Sequence, residues 1–581
     1  MAHPNRPASP PGLPRRAPGA RSLANFATRL GGLAVACAAG AVLLLLALAV
    51  AERGGVPSSI AMTVFAAGAA AILGLIALVW PALRLRRFLA ADNMLPPVAN
   101  GSAGALGAMP CGAALAGGAL VLAAGLPGLA ALGAGFCGAA ILGAALRRTE
   151  AVSPVEYLGL RCGRAVRGVA AATSFAVCLA LALSAMLAVT TVASRGLGLA
   201  PETASALAAA AALLAVLPGG VLSLTAFAGA GLVLPVLGSV LALVFGAKLT
   251  GTDASLWLAP LQAVLAPEDA RVLMQGVPAL FAVPAGGKLA TLAVLAAGLA
   301  SAPHLLLRAA ASESRPAALN TLGHVLIFTV FLALCGAASG VIAALYLDAA
   351  VIDRTLGGLA PAVRDLVDAG LLRLCGASAW DAARAACGTR ALVPTDVALD
   401  PSLALIGLPR LAGLPGGFSG LVLIGVAADL TAGLAACLLV ATSAGTYELL
   451  NTFLRTSLGE GRVLVFMRLA LIVLAAVIVR LAASDSLDPW ALAMTGLALS
   501  AAVLFPALVL SSVPLVGPRG VLVGMVAGLG VALAWLALFG TAGAAGAGLA
   551  GLVAGFTGGL AARTARLVIL GDRGAADASD R

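Results

Sequence analysis

Charge is scarce in this 581-residue chain. Asp, Glu, Lys and Arg make up 10% of it, while 61% is hydrophobic; a soluble domain is about 25% charged. With a mean hydropathy of +1.08, no fold in water would hide so much apolar surface, so a lipid bilayer is the solvent. Lysine is nearly absent (only Lys248 and Lys288), so arginine carries the net charge of +11. The arginines stand in short gaps between apolar runs, not in one basic segment interleaved with aromatics. That excludes nucleic acid as a partner and reads as topological anchoring. The nine cysteines contain no CxxC pair, which excludes a thiolate metal framework. Most are scattered along apolar segments, where a free Cys acts as a small hydrophobe. HExxH, GxSxG and GxxxxGK[ST] are all missing, so neither a membrane hydrolase nor P-loop ATP drive has support. The chain reads as a non-enzyme without a cofactor.

What remains is apolar runs of about 20 residues, each enough to cross a bilayer. Fourteen recur, at 30–50, 56–83, 98–125, 127–146, 165–192, 201–217, 220–246, 284–306, 319–347, 416–442, 463–483, 489–511, 519–539 and 543–562. This predicts an all-α polytopic membrane protein. With the N-terminus inside, alternate loops carry Arg84, Arg86 and Arg87; Arg147, Arg148, Arg161, Arg164 and Arg167; Arg308 and Arg315; and Arg563 and Arg566. The opposite loops balance their arginines with acids. The positive-inside rule therefore predicts a multi-pass protein of the cell inner (plasma) membrane with both termini cytoplasmic. Residues 1–29 and 567–581 are then cytoplasmic tails, and the first span is expected to be an uncleaved anchor. The longest outer loop, 348–415, is amphipathic and predicted helical at 361–374 and 379–386. In an oxidising space its Cys375 and Cys387 either form a disulfide or stand as two free thiols.

Several stretches, in order, carry a resemblance. They are 93–101 (Asn-Met-Leu-Pro-Pro-Val-Ala-Asn-Gly); 153–167, opening Ser-Pro-Val-Glu-Tyr-Leu-Gly-Leu-Arg; Gly219-Gly220; 302–308 (Ala-Pro-His-Leu-Leu-Leu-Arg); 412–415 with the span ending near Tyr447-Glu-Leu449; and 505–510 (Phe-Pro-Ala-Leu-Val-Leu). Together, across roughly 56–540, the chain resembles the sodium:solute symporter family, in particular its acetate-permease-like branch. The resemblance implies a leucine-transporter-like fold of two inverted five-helix repeats, 98–246 and 284–511. Two helices lead (30–97) and two trail (512–566). It implies a secondary transporter for a small organic solute, a monocarboxylate by analogy with that branch, with the pathway beside the broken first helix of each repeat. In the chain those breaks are predicted around Gly104, Ala105, Gly107 and Pro110, and at Pro284, Gly286 and Gly287. By the same resemblance His304 and Arg308 belong to a motif at a helix end. Glu156, Arg161, Arg164 and Arg167 are expected to form cytoplasmic ion pairs at an inner gate, or to serve as solvated anchors.

The chain departs from the family where ion chemistry belongs. Relatives place a hydroxyl pair on the eighth core helix; here those positions are Ala432 and Gly433. Three readings stay open: Na⁺ ligands from elsewhere, a proton as the coupling ion, or loss of transport. The proton reading has a candidate in Asp429, one turn before Gly433, because an intramembrane carboxylate is costly and functional by default. The alternative is a hydrated or paired carboxylate near a helix end. If transport is lost, the chain is a sensor or an assembly partner. No residue pattern specifies an oligomeric state.

Overall fold

The computed structural model describes residues 20–149, 151–250, 285–399, 403–449, 459–483, 487–513 and 516–579. Pro284 and the expected outer loop at 253–271 lie outside them. Among the described residues, twelve helices are long and apolar enough to cross a bilayer. The chain is thus an all-α, multi-pass membrane protein. The expected count of fourteen differs by two elements. Pro201–Val216 has 16 residues, which span about 24 Å at 1.5 Å each, short of a ~30 Å hydrocarbon core. The runs 98–125 and 127–146 are counted together as Gly112–Leu146, but the chain reverses at Gly125 (φ 61°, ψ −140°), just before Pro127. Gly118 lies against Ala337 and Gly143 against Leu322 of the same neighbouring helix, so the two runs are antiparallel, as expected.

At the centre stands the helix Gly416–Ser443, with Asp429 near its middle. It is apolar all round, and 89% of its apolar stretch is buried, as that pattern requires. It packs against Arg164–Leu197, Ser58–Leu78 and Val233–Thr250. Its N-terminus is capped from far away in sequence: Glu52 accepts from the N–H groups of Gly416 (3.0 Å) and Gly417 (3.3 Å), so a carboxylate meets the positive end of the helix. The periphery is different. Only 11% of the apolar stretch of Thr28–Arg53 and 28% of that of Pro518–Phe539 is buried, which leaves side chains such as Leu43 and Leu538 facing lipid. Pro518–Phe539 and Ala544–Ser579 meet through small residues, Gly524 against Gly555 and Gly559, the packing mode available where lipid removes a hydrophobic drive.

The 348–415 segment folds into a small lobe that departs from its predicted helices. Pro361–Asp368 is helical, but Gly370 turns to φ +68° and Leu372–Leu374 continues as a strand, β1. It pairs antiparallel with β2 (Val397–Leu399), with Leu372 opposite Leu399 and Leu374 opposite Val397. The leucines alternate inward around exposed Arg373, a period-2 pattern. Trp380–Cys387 is the second short helix. Cys375 and Cys387 are disulfide-bonded, with Cα atoms 5.7 Å apart. Arg390 grips both oxygens of Asp396 at 2.7 Å.

Candidate functional site

The first broken helix starts at Pro97, whose missing N–H costs nothing at that position, and runs to Ala105. It resumes at Gly112 in a π-helical turn that leads into Gly118–Leu146. Between them, 106–111 is non-helical. Gly107 (φ +79°) and Gly112 (φ +85°) take the left-handed backbone that other residues avoid, and Cys111 is held there at φ +60°. Backbone groups freed at this depth must find partners inside the protein. Asp429 supplies them: its Oδ1 accepts from Gly107 N–H and its Oδ2 from Ala113 N–H, both at 2.7 Å. The carboxylate is 2% exposed, so Asp429 bridges the break instead of lying hydrated near a helix end.

Gly433, one turn on, touches the same loop. A Cβ added to Gly107 would lie 2.2 Å from Gly433 N. The two backbones are in contact, and neither Ala432 nor Gly433 offers a side-chain oxygen to a hard cation. On its far side, the Cys111 thiol bonds Ser184 Oγ at 2.9 Å, and that hydroxyl donates to the Pro489 carbonyl at 2.7 Å. The break is thereby tied to two further helices.

The second broken helix parts at Ala302 (φ −58°, ψ 121°), between Ala285–Ser301 and Pro303–Ala310. This corrects the position predicted at Gly286–Gly287, which lie within the described helix. Pro303 drives the break, because it disfavours helical backbone in the residue before it. His304 consequently sits in the core, 4% exposed, with Nε2 3.4 Å from the Ala108 carbonyl and no partner for Nδ1. Arg308, also 4% exposed, donates from Nη1 to Thr225 Oγ1 at 2.8 Å; among the described residues no carboxylate pairs with it. Asn100 Nδ2 donates to the Arg308 carbonyl at 2.8 Å, and Gly104 makes room for the Arg308 stem. The two breaks thus face each other. Between them lies a void of about 10 Å³, bordered by Gly107, Cys111, His304, Leu430, Gly433 and Cys437, room for about one water.

A second cluster lies at the end of the central span. Glu448, 1% exposed, receives Arg167 through Nε (2.8 Å) and Nη2 (2.5 Å), and the Ser153 hydroxyl on its other oxygen. The expected pairing of Glu156 with the nearby arginines is replaced by this one. Glu156 instead accepts from Val152 N–H at 2.8 Å and receives its own cap from Ser153. Arg161 lies over the Tyr157 ring, and exposed Arg164 makes no ion pair among the described residues. Sequence reasoning missed Glu448, Thr225 and Ser184. Glu448 had a readable signal, a lone acid closing a long apolar run.

No protein-family model and no curated protein sequence matches this chain. Among solved structures it is similar to a Na⁺-coupled sialic acid symporter in a substrate-bound outward-open state, with TM-score 0.60 and 14% identity, over 87% of this chain and 97% of that one. The fold is a secondary transporter's. A mutant manganese transporter of Eremococcus coleocola is also similar, at TM-score 0.39 and 14% identity, covering 82% of this chain and 95% of that one.

Proposed function

We propose that this chain is a secondary active transporter of the inner membrane, with cytoplasmic termini, that moves a small organic solute by alternating access and couples it to protons through Asp429. The observation that carries this reading is a buried carboxylate holding the first broken helix across its break, with the second broken helix beside it, within a symporter-like fold. A carboxylate accepting two N–H bonds holds the first break shut. A proton arriving on Asp429 turns one of those acceptors into an O–H donor, so one N–H loses its partner and the break is released. Sodium coupling has no comparable support, since Ala432 and Gly433 bring no side-chain oxygen and their helix closes directly on Gly107. The void at the break is then the collapsed solute pocket, and Arg167–Glu448 at the cytoplasmic end is the inner gate.

The test is uptake by proteoliposomes, with Na⁺ and pH gradients imposed separately, of radiolabelled acetate, pyruvate, amino acids and small neutral amides and polyols. A pH gradient should drive accumulation and a Na⁺ gradient should not; Asp429→Asn should abolish the pH-driven part. Full uptake by that variant would sink the proton role. A transport-inactive homologue acting as sensor or assembly partner is the second reading, favoured by the tightness of the Gly107–Gly433 contact. Absence of uptake under every gradient would decide for it.

A further inference from the structure

A helix break inside a membrane exposes N–H groups, and in transporters these ends commonly face an anionic group of the cargo. In this chain the N–H groups of Gly107 and Ala113 converge on the two oxygens of one carboxylate, each at 2.7 Å. Ala113 lies in the first turn after the break, where the helix end is positive. Two N–H donors set to the spacing of a carboxylate, out of water, make a receptor for that group. It is already full, and the occupant belongs to the protein. Gly112 lacks the Cβ that would come within 3.2 Å of Oδ2, so the backbone is shaped around Asp429.

Two other observations bear on what the solute can be. His304 borders the same void as Gly107 and Gly433, is 4% exposed, and has an unpartnered Nδ1. Arg308, equally buried and without a carboxylate partner among the described residues, lays its stem against Gly104 and commits its guanidinium to Thr225 Oγ1. A carboxylate cargo at the break would meet the Asp429 carboxylate at low dielectric, where its own receptor is already occupied.

We propose that Gly107 and Ala113 form a carboxylate-binding site that the chain fills with Asp429, and that the transported solute is therefore an uncharged small molecule offering a hydrogen-bonding group to His304. The second half rests on the transporter reading above; the first does not.

The first half is tested by chemical rescue of the purified full-length protein. Asp429→Ala removes one carboxylate group, which formate replaces; Asp429→Gly also removes the methylene, which acetate replaces. Formate should raise the melting temperature of the Ala variant saturably, and acetate should be the better ligand of the Gly variant. Chloride at matched ionic strength should do neither. Wild type and Asp429→Asn, whose site is sterically filled, should be blind to both anions. A formate response in wild type, no response in the folded variants, or failure to recover either variant with its matched anion present overturns the proposal. For the second half, wild-type proteoliposomes should accumulate a neutral amide or polyol and exclude acetate and pyruvate; accumulation of either carboxylate overturns it. The rescue measures binding alone, so a silent uptake assay would sink the transporter reading and leave the filled site standing.

Discussion

The Arg167–Glu448 pair allows the sharpest energetic test, because its two partners are buried unequally. The Glu448 side chain is 1% exposed and that of Arg167 is 19% exposed. Arg167→Ala takes the guanidinium from a carboxylate in the protein interior, and removing one partner of a buried pair costs about 3–5 kcal/mol. Glu448→Ala leaves a guanidinium on a long stem that can turn toward water, so the loss is smaller, roughly 1–3 kcal/mol. With both removed no unpaired charge remains. The double variant should therefore cost little more than Glu448→Ala alone, giving a coupling of about 2–4 kcal/mol. The four proteins would be compared by equilibrium unfolding in detergent. The reasoning fails if Arg167→Ala is no worse than Glu448→Ala, or if the two losses add.

Gly107→Ala should destabilise the protein by about 3 kcal/mol, combining strain at φ +79° with a Cβ set 2.2 Å from Gly433 N; the melting temperature in detergent reads it. Removing the bond between Cys375 and Cys387, 12 residues apart, should cost the outer lobe about 3 kcal/mol. Protease nicking within 375–399 should rise while the membrane bundle melts as before. In the same lobe, hydrogen bonding from Arg390 holds the Asp396 carboxyl below its usual range. A depressed carboxylate contributes fully above its unfolded pKa of about 4 and loses that contribution as pH falls through the folded value. Protection of the Val393 amide, which Asp396 accepts at 3.0 Å, measured against its intrinsic exchange rate at each pH, should fall only below pH ~4. Loss of protection at neutral pH would refute the assignment.

Length and hydropathy were enough to read the membrane class, because nothing else accommodates runs so apolar. The first break was legible near Gly107 and Pro110, whose backbone preferences are local. The second was placed too early, since glycines 286 and 287 tolerate helix and the deciding residue was Pro303, acting on Ala302. Asp429 stood out as a lone acid in an apolar run, but its partners did not. They are backbone N–H groups more than 300 residues away, and every residue has one. Glu448 hid for the opposite reason: four charged residues at 156–167 supplied nearer partners on paper, and burial chose the distant one. The strands of the outer lobe are three residues each, too short for alternation to outweigh an amphipathic helical pattern.

The cap that Glu52 places on the central helix also sets an order of assembly. Its acceptor oxygens are made early, and the N–H groups they hold follow 364 residues later. At about 5–20 residues per second that interval is roughly 20–70 s, during which the nascent first span has only the Ser58 hydroxyl, 3.1 Å from Glu52 Oε2 in the finished protein, to occupy that carboxylate. The contact that ties the first hairpin to the central helix therefore forms only once residue 416 has been inserted.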